Sequence, residues 1–280
     1  MAEFYTFPKK KRFFRINATV LLIIINVVFF LVNIILLSIF GESAYNFLAL
    51  KPSMIIQGKS LWTLFTSMFI HANLYHLFFN MISLFFLGNL AEKIIGKKRF
   101  IIFYLLSGLF AGLFFTTLSV LFGTGIGEKI FGNPSVFGVG ASGAIFGLVG
   151  ILAVLIPKKK IFLVGGPLVA IIFQSVFNAI FPDNPISNVL NLIITIYIFF
   201  SIFAIFSFNP KLRKFSLPIE MPFWLVPIIA IVPLVIIGLF VTLPIGNTAH
   251  LGGLIVGLLY AVYLKKKYHN KTKYIKSVFK

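Results

Sequence analysis

Long apolar runs divided by short basic clusters limit what this chain can fold into. Ala18 to Phe40 holds 23 residues without a single charge. A helix needs about 20 apolar residues to cross the hydrocarbon layer of a bilayer. Eight such runs follow one another, at 18–40, 73–91, 100–122, 141–156, 161–181, 188–207, 222–243 and 249–264. Composition agrees: 59% of the 280 residues are hydrophobic, 36 are Phe, and the mean hydropathy is +1.04. Soluble domains sit at roughly 45–50% apolar. The expectation is an all-α polytopic membrane protein. Its first run exceeds the 7–15 residues of a signal-peptide core. It therefore reads as a retained span with no cleavable leader.

The formal net charge of +19 invites a nucleic-acid reading, but the distribution of charge argues for a bilayer instead. Basic residues fall in short clusters beside the apolar runs, such as "KKKRFFR", "GKKR" and "KKKYHNK". With the N-terminus inside and spans alternating, the inner segments hold 22 of the 25 Lys and Arg. Only Lys51, Lys59 and Lys129 fall outside. Positive charge collects in cytoplasmic loops. The reading is a cell-membrane protein with a basic N-terminus (1–17), a membrane domain (18–264) and a basic tail (265–280), both ends cytoplasmic. The lipid bilayer is a partner and nucleic acid is not. The chain has no cysteine, which excludes disulfides and thiolate metal sites. The first outer loop, 41–72, is half apolar and is expected in the interface. The second, 123–140, is rich in glycine.

Polar side chains at membrane depth are costly and tend to be functional. His76 and Asn80 lie four residues apart in "HLFFN" and share one helix face. Ser142 opens the fourth run, and His250 opens the eighth in "AHLGGLIVG". All three runs enter from the outer side, so the four residues are expected at one depth. His71 is expected at the interface and His269 on the surface. Each residue alone has a plainer use: a serine packs between helices, and a histidine caps a helix end or bonds a neighbour.

Glycine marks the same two helices. "GVGASGAIFG" thins the chain to bare backbone around Ser142. Gly143 and Gly147 make a strip on the fourth run, and Gly253 and Gly257 make another on the face of His250. Small residues let helices approach closely. A close crossing would bring the Ser142 hydroxyl within about 3 Å of His250, as a nucleophile and base require. Glycine before the serine, Gly140 included, frees the backbone to turn and aim N–H groups at a substrate oxygen.

These motifs resemble the rhomboid family of intramembrane serine proteases. The residues that carry the resemblance are "GASG" at Gly140 to Gly143, "HANLYHLFFN", "AHLGGLIVG" and "GNLAEKIIG". It implies a rhomboid-like bundle of about eight spans, a six-span core with two spans added between the serine and histidine helices. It implies a catalytic dyad of Ser142 as nucleophile and His250 as base. The oxyanion hole would comprise His76, Asn80 and the Ser142 N–H, with no metal or cofactor. Substrates would be transmembrane proteins, cut in or beside their membrane segments, with the site opening to the outer face. The one aspartate, Asp183, receives no role. Two positions depart from the family pattern. Trp62-Thr63 stands where Trp-Arg is common, and Phe146 stands where a Tyr often packs on the histidine. The added spans keep a second reading open, a catalytically silent rhomboid-fold protein that binds membrane clients.

Overall fold

The computed structural model describes residues 17–181, 184–207, 209–240 and 246–279. Asp183 and nearly all of the basic N-terminus lie outside the described residues. Helix α1 (Ala18–Phe40) is followed by three short helices, α2 (Ser43–Leu48), α3 (Pro52–Ile55) and α4 (Thr63–Thr66). The second span is α5 (Leu74–Ser83), a π-helical turn at Leu84–Gly88, and α6 (Asn89–Ile95). Next come α7 (Lys97–Phe122), the short α8 (Glu128–Phe131) and α9 (Ser142–Leu155). Strand β1 (Lys160–Val164) leads to α10 (Gly165–Ile180), α11 (Pro185–Phe206) and the single turn α12 (Pro210–Arg213). Strand β2 (Pro218–Pro222) leads to α13 (Val226–Phe240), α14 (Asn247–Lys267) and α15 (His269–Val278).

The chain is a helical polytopic membrane protein. Among the described residues five helices are long and apolar enough to cross a bilayer, counting α5 to α6 as one, and α9, α10 and α13 are shorter apolar helices. Helix α9 is buried on nearly all sides, with eleven of its residues in the core. A helix that is apolar all round has no face to give to solvent, and it takes the centre of the bundle. Helices α7 and α14 pack against it.

The α9–α14 contact is made by backbone. A Cβ at Gly253 would run into the carbonyl oxygen of Gly143. One at Gly257 would run into the carbonyl oxygen of Gly147 and stand 3.0 Å from the Gly150 Cα. Dispersion energy falls steeply with gap, so glycine at these two positions secures contact that no larger residue allows.

The structure corrects several boundaries. Residues 161–164 belong to a strand, not to the start of a span. Strands β1 and β2 pair antiparallel, Lys160 opposite Pro222 and Val164 opposite Pro218. A Lys160–Glu220 ion pair at 3.3 Å and Arg213 over the Phe162 ring, 4.2 Å away, hold this stem. Phe223 N–H donates to the Lys159 carbonyl at 2.9 Å, and Trp224 N–H to Pro157 at 3.2 Å. The stem thus closes just beyond α9, and α10 and α11 form a hairpin inserted through it. The basic tail is helical. Helix α14 continues to Lys267, and α15 buries Thr272 and packs Ile275 on the core.

Glu92, one of six acidic residues, caps a helix distant in sequence. Its carboxylate accepts from the Ala18 and Thr19 N–H groups and the Thr19 hydroxyl, each at 2.9 Å. The first N–H groups of a helix have no partner of their own and carry partial positive charge. Glu92→Ala leaves them bare, and charge-assisted bonds are worth roughly 1.5–3 kcal/mol each. Thermal unfolding of the solubilised variant should therefore start several degrees below wild type. The α9–α14 contact makes a second prediction. Even Gly257→Ala forces the helices apart, and overpacking of this kind costs about 1–3 kcal/mol. Gly112→Ala, whose added Cβ meets nothing closer than 3.4 Å, should melt with wild type.

Candidate active site

Four separate segments meet beside the N-terminal end of α9. Ser142 is the first residue of that helix. The turn before it depends on Gly140, whose φ of +122° lies where side chains rarely go. A Cβ there would also stand 2.8 Å from the His76 ring. Glycine is required at this position for both reasons. Because Ser142 begins the helix, its N–H lies in the first turn, where no intrahelical acceptor exists.

The loop at 41–72 holds that turn in place. Leu50 and Gly138 exchange backbone hydrogen bonds, Leu50 N–H to Gly138 at 3.0 Å and Gly138 N–H to Leu50 at 2.7 Å. The Gly140 N–H donates to the Ser67 carbonyl at 2.9 Å, and the Ser53 N–H to Pro134 at 2.9 Å. The loop is anchored to its own backbone where the family's Trp-Arg pair is absent. Trp62 Nε1 donates to the Phe47 carbonyl at 2.8 Å, and the Thr63 hydroxyl to Ser60 at 2.7 Å.

His250 comes from α14, in its first turn. Its Nε2 lies 2.8 Å from the Ser142 Oγ. The ring stacks on Phe146, with centroids 4.3 Å apart and planes 8° from parallel. Phe146 sits one turn after Ser142, so the helix that carries the serine also fixes the plane of the histidine. The Nδ1 of His250 is buried with no hydrogen-bond partner among the described residues. No carboxylate orients this ring there; packing does.

His76 and Asn80 come from α5. Asn73 starts this helix, its side chain accepting from the His76 N–H at 2.9 Å. That cap sets His76 in the first turn and Asn80 one turn on. The His76 ring flanks Gly140, and Asn80 Nδ2 would be 3.7 Å from a Cβ there. Asn80 Nδ2 donates one hydrogen to the His76 carbonyl at 3.0 Å. An amide nitrogen has two hydrogens, so it can donate a second bond beside Gly140. His71, expected at the interface, is instead fully buried. Its ring meets that of His76 edge-on at 5.1 Å. His269 is exposed.

The structure therefore brings Ser142, His250 and Phe146 into contact, with His76 and Asn80 beside the turn that precedes the serine. Gly143, Gly147, Gly253 and Gly257 line the crossing that holds the two helices together. The sequence reading did not include the outer-loop contacts to residues 138–140. Their only signal there is the half-apolar character of 41–72.

Comparison with known proteins points the same way. The chain is 39% identical to RHOMBOID-like protein 1 of Arabidopsis thaliana over 102 residues, 36% of this chain and 23% of that protein. It is 34% identical to Rhomboid protease GluP of Bacillus subtilis (strain 168) over 123 residues, 44% of this chain and 21% of that one. It is 33% identical to Inactive RHOMBOID-like protein 8 of Arabidopsis thaliana over 103 residues, 37% and 25% of the two chains. The matched stretch thus spans about a quarter of each of these relatives. The Rhomboid domain model matches residues 58–196 and 192–267, most of the chain, and the two matches meet inside the inserted helix α11. The chain belongs to the rhomboid family.

Proposed function

We propose that this protein is an intramembrane serine endopeptidase that cuts peptide bonds in or beside transmembrane segments of other membrane proteins. The observation that carries this reading is the 2.8 Å separation of Ser142 Oγ and His250 Nε2 inside a helical membrane bundle. A pair at this distance suits proton transfer from hydroxyl to imidazole. The relative named a rhomboid protease supports the same chemistry.

In this mechanism the Ser142 Oγ attacks the scissile carbonyl carbon while its proton passes to His250 Nε2. The carbonyl oxygen becomes an oxyanion, bound by the Ser142 N–H, His76 and Asn80. His250 then gives its proton to the leaving amine, and the C–N bond breaks to leave an acyl-enzyme. A water attacks that ester, His250 takes its proton and returns it to Ser142, and the acid product departs. Nothing in this sequence calls for a metal or cofactor. The substrate backbone must leave its helix at the cut, because a helical carbonyl is already bonded and hidden. The distribution of Lys and Arg supports cytoplasmic termini and a site that opens to the outer face.

A silent, client-binding role is the second reading, and the relative named as inactive favours it. Binding alone needs neither member of the serine–histidine pair. Cleavage of a model transmembrane substrate by the purified protein separates the two. Wild type should cut, and Ser142→Ala and His250→Ala should each lose on the order of 10⁴-fold or more while staying folded, since the pair acts as a unit. Cleavage at the wild-type rate by either variant would sink the protease reading. A wild-type protein that binds the substrate and never cuts it would favour the silent one.

A further inference from the structure

The inserted α10–α11 hairpin touches the helix that carries His76 and Asn80. Phe199 of α11 packs on Tyr75 and Phe78 of α5, with ring centroids 5.8 and 5.5 Å away. Tyr75 and Phe78 lie on the face of α5 turned roughly 150° from His76 and Asn80, at 100° per residue. Phe199 therefore presses on the back of the helix whose front carries the two polar groups.

Helix α5 needs such support. Only Leu77, Asn80 and Met81 of its ten residues are buried. Its inner end joins α6 through the π-helical turn at Leu84–Gly88. Such turns interrupt the regular ladder of helix hydrogen bonds and allow a bend. Ser142 stands on a different helix, so the distance between serine and oxyanion donors depends on how α5 is held.

The hairpin is built to hold something. Gln174 and Asn191 bond across it at 2.7 Å, and Asn178 reaches Asn191 at 3.4 Å. The Tyr197 hydroxyl donates to the Phe215 carbonyl at 2.8 Å. Its stem is tied to the Pro157 and Lys159 carbonyls, two and four residues beyond α9. The hairpin thus runs from the foot of the serine helix to the back of α5.

We infer that Phe199 is a positioning residue: the inserted hairpin braces α5 so that His76 and Asn80 stay in register with Ser142. The inference rests on the reading of His76 and Asn80 as oxyanion donors. It assigns the two added spans a task inside the protein's own site. A brace of this kind acts on the chemical step, because it controls donors that bind the oxyanion more tightly than the ground-state carbonyl.

A double-mutant cycle on the full-length protein tests it, with kcat and KM measured for a model transmembrane substrate. Phe199→Ala should lower kcat on the order of tenfold and leave KM within about twofold, since a misplacement near 1 Å costs up to 10²-fold. Phe203→Ala, one turn on and 62% exposed, should match wild type. Asn80→Ala alone should cost on the order of 10²-fold. In that background Phe199→Ala should cost less than about twofold, because one of its targets is already gone. If Phe199→Ala does not fold, Phe199→Leu carries the same cycle. Equal fold-losses in both backgrounds, or a Phe199 variant as fast as wild type, would overturn the brace and leave the oxyanion assignment standing. Asn80→Ala at the wild-type rate would overturn both.

Discussion

Everything at the candidate site depends on two helices touching through bare backbone. Helices α9 and α14 cross where Gly253 faces the Gly143 carbonyl and Gly257 faces that of Gly147. This contact sets the distance between Ser142 and His250, which lie in the first turns of those helices. In a bilayer no hydrophobic force drives such helices together, because lipid is as apolar as leucine; close packing does. The same crossing lets Phe146 lie flat on the His250 ring. The histidine is thus oriented by a hydrocarbon face. With few acids in the chain, that solution avoids burying a further charge, which is expensive in this setting.

A second set of contacts arranges the approach to the serine. The loop at 41–72 clamps residues 138–140 from one side, and the α5 face with His76 and Asn80 flanks Gly140 from the other. Each clamp is made of backbone hydrogen bonds or of short polar side chains near helix ends. Both kinds of contact are directional, so they fix where the turn before Ser142 lies relative to α5. The α10–α11 hairpin extends this scheme: its β stem begins where α9 ends and its far helix rests on α5, so it links two parts of the candidate site.

Much of this architecture was legible from the sequence because bilayers impose simple rules. Apolar runs of fixed length marked the spans, and helical spacing put His76 with Asn80 and His250 with Gly253 and Gly257. Other features left no such trace. The run from Ile161 onward holds no charge, and the Gly165-Gly166-Pro167 break inside it marks where the helix begins without saying that the residues before it form a strand, which Lys160–Val164 becomes by pairing with Pro218–Pro222. The π-helical turn sits in "LFFLG", where every side chain is apolar or absent and periodicity is silent. Glu92 caps α1 across 74 residues of chain, a pairing that no local pattern encodes. His71 was expected at the interface because it closes the half-apolar 41–72 segment, yet it is fully buried, edge-on to the His76 ring. The tail helix could have been found: Tyr268, Thr272 and Ile275 recur at helical spacing and meet the inner ends of the bundle.

The central claim is that His250 activates Ser142 as a nucleophile. Labelling with a fluorophosphonate tests it without any substrate being known. Purified protein is incubated with the probe, digested, and mapped by mass spectrometry. One adduct is expected, on Ser142, formed in the folded wild type and lost in His250→Ala and in heat-denatured protein. A folded wild type that takes no label, or a His250→Ala variant that takes it equally fast, would contradict the account.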